Sequence, residues 1–594
     1  MFKPVASKVD FVAQEHQILK FWENTRAFQR QRELRQNAPT WSFIDGPITA
    51  NNPMGVHHGW GRTYKDLFQR FKSMQGYQTR FQNGFDCQGL WVEVEVERER
   101  GFRTKRDIEK FGLAEFVVLC KQRVLEFAAL QTEQSIRLGY WMDWDSPAWL
   151  RELKNQLGAD PAGLVTFNGP GGRIDGTVES VIGQLGLPEL GGSYFTFSDE
   201  NNYTIWSVLK SCYDRGWIYK GRDVMPWCGR CGTGLSQHEI VTEGYQEVTH
   251  PGLTLRLPLL ERPGESLLVW TTTPWTLTSN VAAAVGPELD YLRVRQGEEV
   301  LYLSKGTLGT LVGEYQVEAE LKGAALEGWR YQGPFDELPA QVESGSPLAH
   351  RVILWEQVSE AEGTGIVHIA PGAGAEDYQL GKRYGLPVIA PLNESGVFMD
   401  GFGWLSGMPV SETAGPIYED LVKRGLAYSR RDYLHRYPVC WRCGTQLVFR
   451  LVDEWFISMG PQLDKPYGEV SEQEKLGNLR YQMMEAVIDQ TRWYPSFGFD
   501  RELDWLRNMQ DWMISKKRYW GLALPIYECE ECSNFEVLGS KAELEQRAIA
   551  GWEQFQGHTP HRPYIDAVQI ACKECGKPVS RIPEVGNPWL DAGI

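Results

Sequence analysis

Four Cys-x-x-Cys pairs constrain the fold of this chain more than any other feature of its sequence. Two cysteines separated by two residues can bind one tetrahedral zinc ion, and two such pairs complete a four-cysteine site. The last two pairs are about forty residues apart and are predicted to share one ion. The first two must then join across about two hundred residues, so that a whole domain is inserted between the halves of one site. The pairs are Cys228/Cys231, Cys440/Cys443, Cys529/Cys532 and Cys572/Cys575.

Glycine follows three of these pairs directly and allows the tight backbone that turns amide groups toward sulfur. The alternative interpretation is a set of redox dithiols or chance spacing. Because eight of the 11 cysteines fall into such pairs, chance spacing is a poor explanation. We predict two structural zinc sites.

The length and charge of the chain limit the remaining possibilities. Its 594 residues exceed what one hydrophobic core supports, so roughly two to four domains are expected. The net charge of −16 argues against non-specific DNA binding, which needs a broadly basic surface, but permits a local basic groove for one RNA. No apolar run has the length of a membrane span, and residues 1–20 contain no apolar signal core. We therefore expect a soluble, cytoplasmic protein that binds neither membranes nor DNA.

The N-terminal residues have the pattern of a nucleotide-binding α/β sheet. Residues 8–30 have apolar positions at near-helical spacing, and a short strand is predicted at 41–45. A polar loop leads to a helix that is predicted to begin near His57 and end near Met74, and another strand precedes Gly84. Strand, loop, helix and strand in this order open a parallel, Rossmann-like sheet.

Two later regions differ in composition from this sheet. Residues 146–193 are rich in glycine but form no phosphate loop, because no Gly-Lys-Ser/Thr follows, and we interpret them as an insertion. From about 250 to 435, alternating apolar segments between Gly, Pro and Asp turns predict a mostly-β domain, where the distant cysteine pairs require an insert. The predicted domains are an N-terminal helical segment (1–40), the first half of a Rossmann-like catalytic domain (41–230), the inserted β domain (231–436) and an incomplete second catalytic part (437–594).

Residues 45–60, Asp-Gly-Pro-Ile-Thr-Ala-Asn-Asn-Pro-Met-Gly-Val-His-His-Gly-Trp, resemble the first signature of class I aminoacyl-tRNA synthetases. In that family a His-x-Gly-His element opens a helix and contacts ATP, and helix N-terminal amides with imidazole donors can stabilise charge on the α-phosphate. Trp60 stands where the family has its second histidine, and His57 and His58 could each take the first position. The resemblance implies catalytic roles for His57, His58 and Gly59, and substrate binding by Pro47.

Two further segments are similar to the Ile/Val/Leu subgroup of that family. Residues 84–90, Gly-Phe-Asp-Cys-Gln-Gly-Leu, resemble a stretch whose aspartate, here Asp86, binds the ammonium group of the amino acid by a charge-assisted contact. Residues 511–521 resemble an element whose first tryptophan, here Trp512, lines the amino-acid pocket. Gln88 stands where the family has histidine, and Lys516 where arginine is usual.

The Thr-rich segment 270–280 carries the most specific part of the resemblance. It is similar to a strand in the editing domain of isoleucyl-tRNA synthetases, and residues 363–378 resemble its partner segment. The resemblance implies that threonine hydroxyls orient the terminal adenosine or the attacking water. It also implies that His368 contacts the side chain or ribose and that Asp377 anchors the ammonium group of the misacylated residue. The implied editing residues are Thr271, Thr272, Thr273, Trp275, Asn280, His368 and Asp377.

The activity implied by this resemblance is ATP-dependent activation of isoleucine, its transfer to tRNA(Ile), and hydrolysis of valyl-tRNA(Ile). ATP would act with Mg²⁺, and the enzyme is expected to be a monomer. The family's Lys-Met-Ser-Lys-Ser loop and helical anticodon-binding domain have no match, so we expect a truncated chain that activates isoleucine feebly. The alternatives are a chain that keeps only the editing deacylase activity and a zinc-scaffolded RNA-binding remnant.

Overall fold

The computed structural model describes residues 8–235, 240 and 244–594. The chain forms two compact units, one containing residues up to 219 together with 455–594, the other containing residues 220–454. The chain leaves the first unit within the strand Ile218–Cys228 and returns to it within Val448–Ile457.

The parallel sheet predicted near the N-terminus is present in the first unit. Thr40–Ile44 pairs in parallel with Gln78–Gln82, and the helix Val56–Met74 connects the two strands. Beyond a loop, Ile48–Thr49 pairs in parallel with Gly84–Asp86, which also pairs in parallel with Tyr194–Phe195. These strands form two small sheets that are parallel throughout, so within each sheet the loops that follow the strands open at the same edge.

The predicted helix over residues 8–30 is interrupted. Phe11–Thr25 and Ala27–Leu34 are separate helices, because Arg26 takes a left-handed conformation with φ of 52°. The Thr25 hydroxyl donates to the Phe21 carbonyl at 2.7 Å, so a side chain satisfies one of the carbonyl groups that a helix leaves free at its end. A continuous apolar spacing therefore does not reveal this break.

Residues 146–193, predicted as an insertion, contain ordered structure that packs into a core. Leu150, Leu153 and Leu157 lie on one side of the helix Pro147–Ala159 and are buried. The strands Leu164–Asn168 and Arg173–Thr177 then form an antiparallel hairpin, whose turn contains the predicted glycine cluster.

Most other elements of the first unit pack in two hydrophobic cores, one on the helices around Leu113–Arg137 and one mainly in the C-terminal part, while the helices between residues 472 and 508 enclose a smaller core. The further helices are Leu90–Arg100, Lys105–Phe111, Val178–Gly183, Asp199–Asp214, Glu472–Leu476, Leu479–Glu485, Phe497–Asn508, Lys541–Arg547, Trp552–Phe555 and Pro588–Gly593. The further strands are Trp512–Met513, Ser515–Lys516, Ile526–Glu528, Phe535–Val537, Ala548–Ala550, Gln569–Ala571, Pro578–Ser580 and Val585–Gly586.

The second unit is mostly β, as the alternating pattern predicted. Its largest sheet has the strand order Gln316–Lys322, Asp290–Gln296, Glu299–Ser304, Glu265–Thr271, Tyr245–Pro258 and Ala427–Pro438. A second sheet has the order Arg351–Leu354, Ala282–Val285 and Ile366–Ile369. The short strand Thr233–Gly234 pairs with Trp227 and Cys228, and the α-helices described in this unit are Pro339–Ser344, Ala375–Tyr384 and Ala414–Lys423.

Within the described residues, no helix combines the length and the apolar character that a membrane crossing requires.

Candidate functional site

The N-terminus of the helix Val56–Met74 carries the two adjacent histidines. Their rings lie 3.9 Å apart between centroids, and the Gly55 N–H donates to Nδ1 of His58 at 3.1 Å. Burial, followed by the charges of His57 and Arg62, lowers the pKa of His58. His58 is therefore a neutral imidazole that caps the helix, while His57 is exposed beside the free amide groups of the first turn.

Asp45 fixes the loop that precedes this helix. Its buried carboxylate forms ion pairs with Arg62, at 3.2 Å, and with Lys65. Both residues lie within the first three turns of the helix. Its carbonyl oxygen accepts from the Tyr194 hydroxyl at 2.6 Å. Pro47, predicted to bind substrate, is partly buried and lies between this anchor and the strand Ile48–Thr49.

Asp86 ends the strand next to Ile48–Thr49. One carboxylate oxygen accepts from the Thr49 hydroxyl at 3.0 Å, and the other is buried without a hydrogen-bond partner among the described residues. Burial raises the pKa of Asp86 to about 6, although the Thr49 hydroxyl and the nearby Gln88 and Cys87 backbone N–H groups oppose the shift. A buried carboxylate with a free oxygen is a favourable partner for a cationic ligand.

Residues 511–521 pack directly on the segment that contains Asp86. The Trp520 indole donates to the Cys87 carbonyl at 2.8 Å, and the Tyr519 N–H donates to Glu93 at 2.8 Å. Arg518 forms fully buried ion pairs with Glu93 and Glu97 on the helix Leu90–Arg100. The structure thus brings together the two segments that the sequence assigned to the amino-acid pocket.

Trp512 is linked to the same region through the last helix of the chain. Asn587 binds the backbone of Met513 at 3.2 Å and of Ile514 at 2.8 Å, directly after Trp512. The next residue, Pro588, packs so closely on Gly89 that a side chain at Gly89 would collide with its ring. Gly89 has φ of 100°, a conformation that glycine adopts readily.

Two residues that the sequence analysis missed lie near the segment that contains Asp86. Nε2 of His561 lies 3.0 Å from Oε1 of Gln88, so an imidazole reaches the position where the family motif has histidine. Asp591 has both carboxylate oxygens buried without a partner among the described residues. Burial, and then the negative charge of Asp86, raise the pKa of Asp591 well above its ordinary value. Burial and the neighbouring charge of Asp86 therefore both disfavour the ionised form of Asp591.

The predicted strand over 270–280 is wrong beyond Thr271. The strand Glu265–Thr271 ends there, and Pro274–Ser279 forms a 3₁₀ helix. Pro274 lacks the N–H that a strand ladder needs, and its fixed φ suits the first turn of a helix. The Thr273 N–H donates to the Thr271 hydroxyl at 3.0 Å, so the threonines line a turn instead of alternating between two strand faces, and Thr272 is partly exposed in that turn.

This turn meets the second predicted editing segment at a threonine that was not among the predicted editing residues. The Thr276 hydroxyl lies 2.9 Å from Nε2 of His368 and donates to the Thr273 carbonyl at 2.8 Å. The Nδ1 atom of His368 is buried without a partner among the described residues, and burial lowers the pKa of His368 to about 4. Two residues further on, the Ala370 N–H donates to Asp377 at 2.7 Å. Burial raises the pKa of Asp377 to about 6 against this hydrogen bond.

Trp275 and Asn280 lie in the hydrophobic core of the second unit. Trp275 packs among the buried apolar residues of the unit. Asn280 accepts from the Tyr331 hydroxyl at 2.8 Å and donates to the Ala282 carbonyl at 3.0 Å. Their contacts are those of residues that hold the 3₁₀ helix in place, whereas Thr273, Thr276 and His368 are linked by hydrogen bonds and Asp377 accepts from the backbone two residues after His368.

The cysteines assemble into two tetrads with the predicted pairing. Cys228, Cys231, Cys440 and Cys443 form the first and lie in the second unit, and Cys529, Cys532, Cys572 and Cys575 form the second and lie in the first unit. All eight are free thiols whose sulfur atoms lie within 4.8 Å of one another in each tetrad. The recorded sulfur–sulfur distances are 3.5 and 3.7 Å in both tetrads, close to the roughly 3.8 Å that a tetrahedral ion with about 2.3 Å bonds imposes. Both tetrads therefore fit a zinc ion.

The residue after the second cysteine of each pair takes a left-handed conformation. Gly232, Gly444 and Gly576 have φ of 61°, 73° and 70°, as the glycine pattern predicted. In the pair Cys529/Cys532 the same place is taken by Ser533, with φ of 58°. The backbone after this pair therefore has the same left-handed conformation as after the other three pairs, although the residue is not glycine.

The comparisons with known proteins agree with the residues assembled above. The model of class I tRNA synthetases (I, L, M and V) matches residues 17–157 and 177–594 and omits 158–176, the hairpin region within the predicted insertion. Isoleucine–tRNA ligases are similar along the chain: that of Methanothermobacter marburgensis is 35% identical over 587 residues, covering 98% of this chain and 49% of the relative. Those of Thermobifida fusca and Thermus thermophilus are each 36% identical, covering 100% of this chain and 50% of the relative.

The chain spans about half the length of the curated relatives it matches. The family match includes the first signature, the segment of Asp86 and the element at 511–521, which the structure places in one compact unit. The fold predicted from those segments, a class I α/β catalytic sheet interrupted by a mostly-β insert, is confirmed. The chain belongs to the class I tRNA synthetases of the isoleucine, leucine, methionine and valine group.

Proposed function

We propose that this chain provides the isoleucine-binding, ATP-binding and editing sites of an isoleucine–tRNA ligase. The isoleucine carboxylate attacks the α-phosphate of ATP, which releases pyrophosphate, and the isoleucyl group then passes to a terminal hydroxyl of tRNA(Ile). The ligase names of relatives that match 98–100% of the chain support this reaction over a deacylase alone.

The observation that carries the proposal is the unpartnered carboxylate oxygen of Asp86. Thr49 holds one oxygen of Asp86, and the other is free to accept from an α-ammonium group. Burial and the charge of Asp86 favour the protonated form of Asp591, which adds no second negative charge and whose O–H can donate to a polar atom of the ligand. Asp86 thereby selects α-amino acids, and Pro47 and Trp512 are proposed to contact the rest of the substrate.

We assign ATP to the N-terminus of the helix Val56–Met74. Free amide groups and the helix dipole attract phosphate there, and the exposure of His57 beside them supports a hydrogen bond from its ring to an oxygen of the α-phosphate. We assign His58 an indirect role, because its Nδ1 atom accepts from the Gly55 N–H and so fixes the start of the helix. Mg²⁺ would enter with the ATP phosphates.

The proposed editing site hydrolyses the ester of valyl-tRNA(Ile). Asp377 binds the ammonium group of the valyl residue, and the Thr273 and His368 side chains orient the terminal ribose and a water molecule. Water attacks the ester carbonyl, the bond to the ribose oxygen breaks, and that oxygen takes up a proton. Such a site is needed because an apolar pocket cannot strongly exclude a side chain one methylene smaller, and isoleucine against valine is the standard example of this limit.

We propose a structural zinc ion in each cysteine tetrad. The first would tie together the two ends of the segment between Cys231 and Cys440, and the second would tie the segment between Cys532 and Cys572. Neither tetrad is assigned a chemical step. The proposed compartment is the cytoplasm and the proposed oligomeric state is a monomer.

Binding of a stable isoleucyl-adenylate analogue tests the proposed function. Calorimetric titration is expected to show binding to the chain at pH 7.5, with leucyl- and methionyl-adenylate analogues at least tenfold weaker. Equal affinities for the three analogues would mean that the amino-acid assignment is wrong. The Leu164→Ala variant, altered on an exposed hairpin strand, serves as the control and should bind like the parent.

A further inference from the structure

A chain of buried hydrogen bonds in the first unit leads to Gln88, two residues beyond the proposed ammonium anchor. Lys121 forms an ion pair with Glu179, and its Nζ atom donates to the Thr559 hydroxyl at 2.7 Å. The same hydroxyl lies 2.8 Å from Nδ1 of His561, whose Nε2 atom lies 3.0 Å from Oε1 of Gln88. Each of these five residues is at most 5% exposed. None of the ATP, editing or zinc sites described above contains them.

The carbonyl group of Thr196 fixes the orientation of the Gln88 amide. Nε2 of Gln88 donates to this carbonyl at 2.8 Å, and a carbonyl oxygen can only accept. Oε1 of Gln88 therefore faces His561 and must accept a hydrogen bond from it. The hydrogen of the imidazole ring consequently lies on Nε2.

The other ring nitrogen of His561 is then an acceptor. Burial, and then the charge of Lys121, lower the pKa of His561 well below its ordinary value against the opposing charge of Glu179, so the neutral ring carries one hydrogen. Its Nδ1 atom accepts from the Thr559 hydroxyl, because Glu179, 2.9 Å from that hydroxyl, already accepts from Lys121. The hydrogen bonds thus run in one direction, from the Lys121 ammonium group to Gln88.

The backbone at Cys87 and Gln88 is fixed from both sides. The Cys87 N–H donates to the Thr196 hydroxyl at 2.9 Å, and the Cys87 carbonyl accepts from the Trp520 indole at 2.8 Å. The His561 ring stacks on Trp520, with the ring centroids 4.7 Å apart and the planes 25° from parallel. His561 is therefore linked to this backbone twice, through Gln88 and through Trp520.

These contacts bear directly on the carboxylate of Asp86. The Cys87 and Gln88 N–H groups oppose the raised pKa of Asp86, so they lie close to its carboxylate. A displacement of this backbone would move the two N–H groups and the unpartnered oxygen of Asp86 together. A buried polar network in which each member is bonded holds its members in one arrangement.

We propose that His561 is a positioning residue of the amino-acid site, an inference that rests on the proposed function. Its Nε2–H group, oriented by the chain that begins at Lys121, fixes Gln88 and thereby keeps Asp86 in the place where it receives the α-ammonium group of isoleucine. In this role His561 acts through Gln88, without contact to the substrate.

Two substitutions of His561 separate its hydrogen bond from the packing of its ring. His561→Phe keeps a ring on Trp520 but removes both nitrogen atoms, whereas His561→Gln keeps an N–H donor for Gln88. Calorimetric titration with the stable isoleucyl-adenylate analogue at pH 7.5 is expected to show at least about tenfold weaker binding by His561→Phe, because a buried acceptor loses its donor. His561→Gln should restore binding to within about threefold of the parent, because the donor is retained.

A double-mutant cycle tests whether His561 acts through Gln88. Gln88→Met removes the acceptor, so in that background His561→Phe should weaken binding by less than about a further threefold. His558→Phe is the matched control, because His558 stacks on Tyr564 with centroids 3.6 Å apart and its Nδ1 atom has no hydrogen-bond partner among the described residues. This control should bind like the parent.

A second variant covers the case in which His561→Phe does not fold, as judged by circular dichroism and zinc content. Thr559→Val keeps the shape of the side chain but removes the hydroxyl that donates to Nδ1 of His561. It is expected to weaken binding by about threefold or more. Binding like that of the parent would contradict the inference.

The other outcomes overturn the inference as well. Binding by His561→Phe like that of the parent overturns it, and an equal loss in His561→Gln would assign the ring to packing alone. Independent, additive losses in the cycle would show that His561 does not act through Gln88. In each of these cases, binding by the parent leaves the proposed function standing, whereas a folded parent chain that binds no analogue overturns both.

Discussion

Replacing Asp86 by asparagine is expected to weaken binding of the isoleucyl-adenylate analogue by about 10- to 150-fold at pH 7.5. The substitution keeps the shape of the side chain and its acceptor for the Thr49 hydroxyl, but removes the charge that faces the ammonium group. Hydrogen bonds to charged groups contribute about 1.5–3 kcal/mol, and about 1.4 kcal/mol corresponds to a factor of ten in affinity.

The pH dependence of analogue binding gives a second, independent measure of the contact between Asp86 and the ammonium group. Only the ionised carboxylate attracts the ammonium group, and the pKa of Asp86 is about 6. Affinity should therefore be nearly constant above pH 7 and fall as the pH drops through 6, with about a tenfold loss between pH 7.5 and 5. Asp86→Asn should abolish this dependence, whereas Asp591→Asn should retain it, because asparagine closely resembles the protonated acid at Asp591.

Calorimetric titration of the parent chain and both variants at several pH values provides the assay. A parent affinity that does not change between pH 7.5 and 5 would refute the assignment of Asp86 as the anionic anchor. An Asp86→Asn variant that binds like the parent would refute it as well. A large loss in Asp591→Asn with retained folding would show instead that Asp591 carries the charge.

Four further predictions concern the editing site and the tetrads. Asp377→Ala should abolish deacylation of valyl-tRNA(Ile). Thr272→Ala and Thr273→Ala should lose less activity, since water can replace a hydroxyl but not a charge. Equal deacylation rates for Asp377→Ala and the parent would contradict the proposed editing site. In the parent, the deacylation rate should fall about tenfold per pH unit below 6, because Asp377 has a pKa of about 6. His368, with a pKa of about 4, stays neutral over most of that range. A rate that stays constant down to pH 5 would contradict the assignment of Asp377. Metal analysis should find two zinc ions per chain, with Cys440→Ser losing one and loosening the second unit more than the first, and one ion or none in the parent would refute the tetrads. Ser533→Gly should raise the free energy of unfolding by about 0.5–1 kcal/mol in denaturant titrations, because φ is 58° there, and a destabilised variant would show that the serine side chain matters more than the backbone.

The cysteine pairing and the opening of the parallel sheet could be predicted from the sequence because both depend on local spacing. Two-residue spacing specifies a bidentate pair, and two pairs specify one ion, whatever the length of chain between them. The strand, the polar loop and the helix beginning at Val56 follow from apolar periodicity and from the Gly-Pro and Asn-Pro turns.

The missed residues act through contacts between distant parts of the chain. His561 meets Gln88 across 473 positions, and Thr276 meets His368 across 92, so no local pattern marks either pair. The threonine turn was misassigned because a β-branched run favours a strand, whereas Pro274 determined the outcome. The apolar spacing of Val56–Met74 likewise indicates a buried face, but only the structure shows that the polar side is the buried one.

Deacylation of two esters by the 594-residue chain tests the central claim most directly. Because Thr273, Thr276, His368 and Asp377 all lie within the second unit, the proposed editing site is contained in this chain. Purified chain, at high concentration to offset weak tRNA binding, should hydrolyse valyl-tRNA(Ile) and leave isoleucyl-tRNA(Ile) intact. Equal hydrolysis of both esters, or hydrolysis of neither by folded and zinc-loaded protein, would contradict the assignment of this chain to isoleucine.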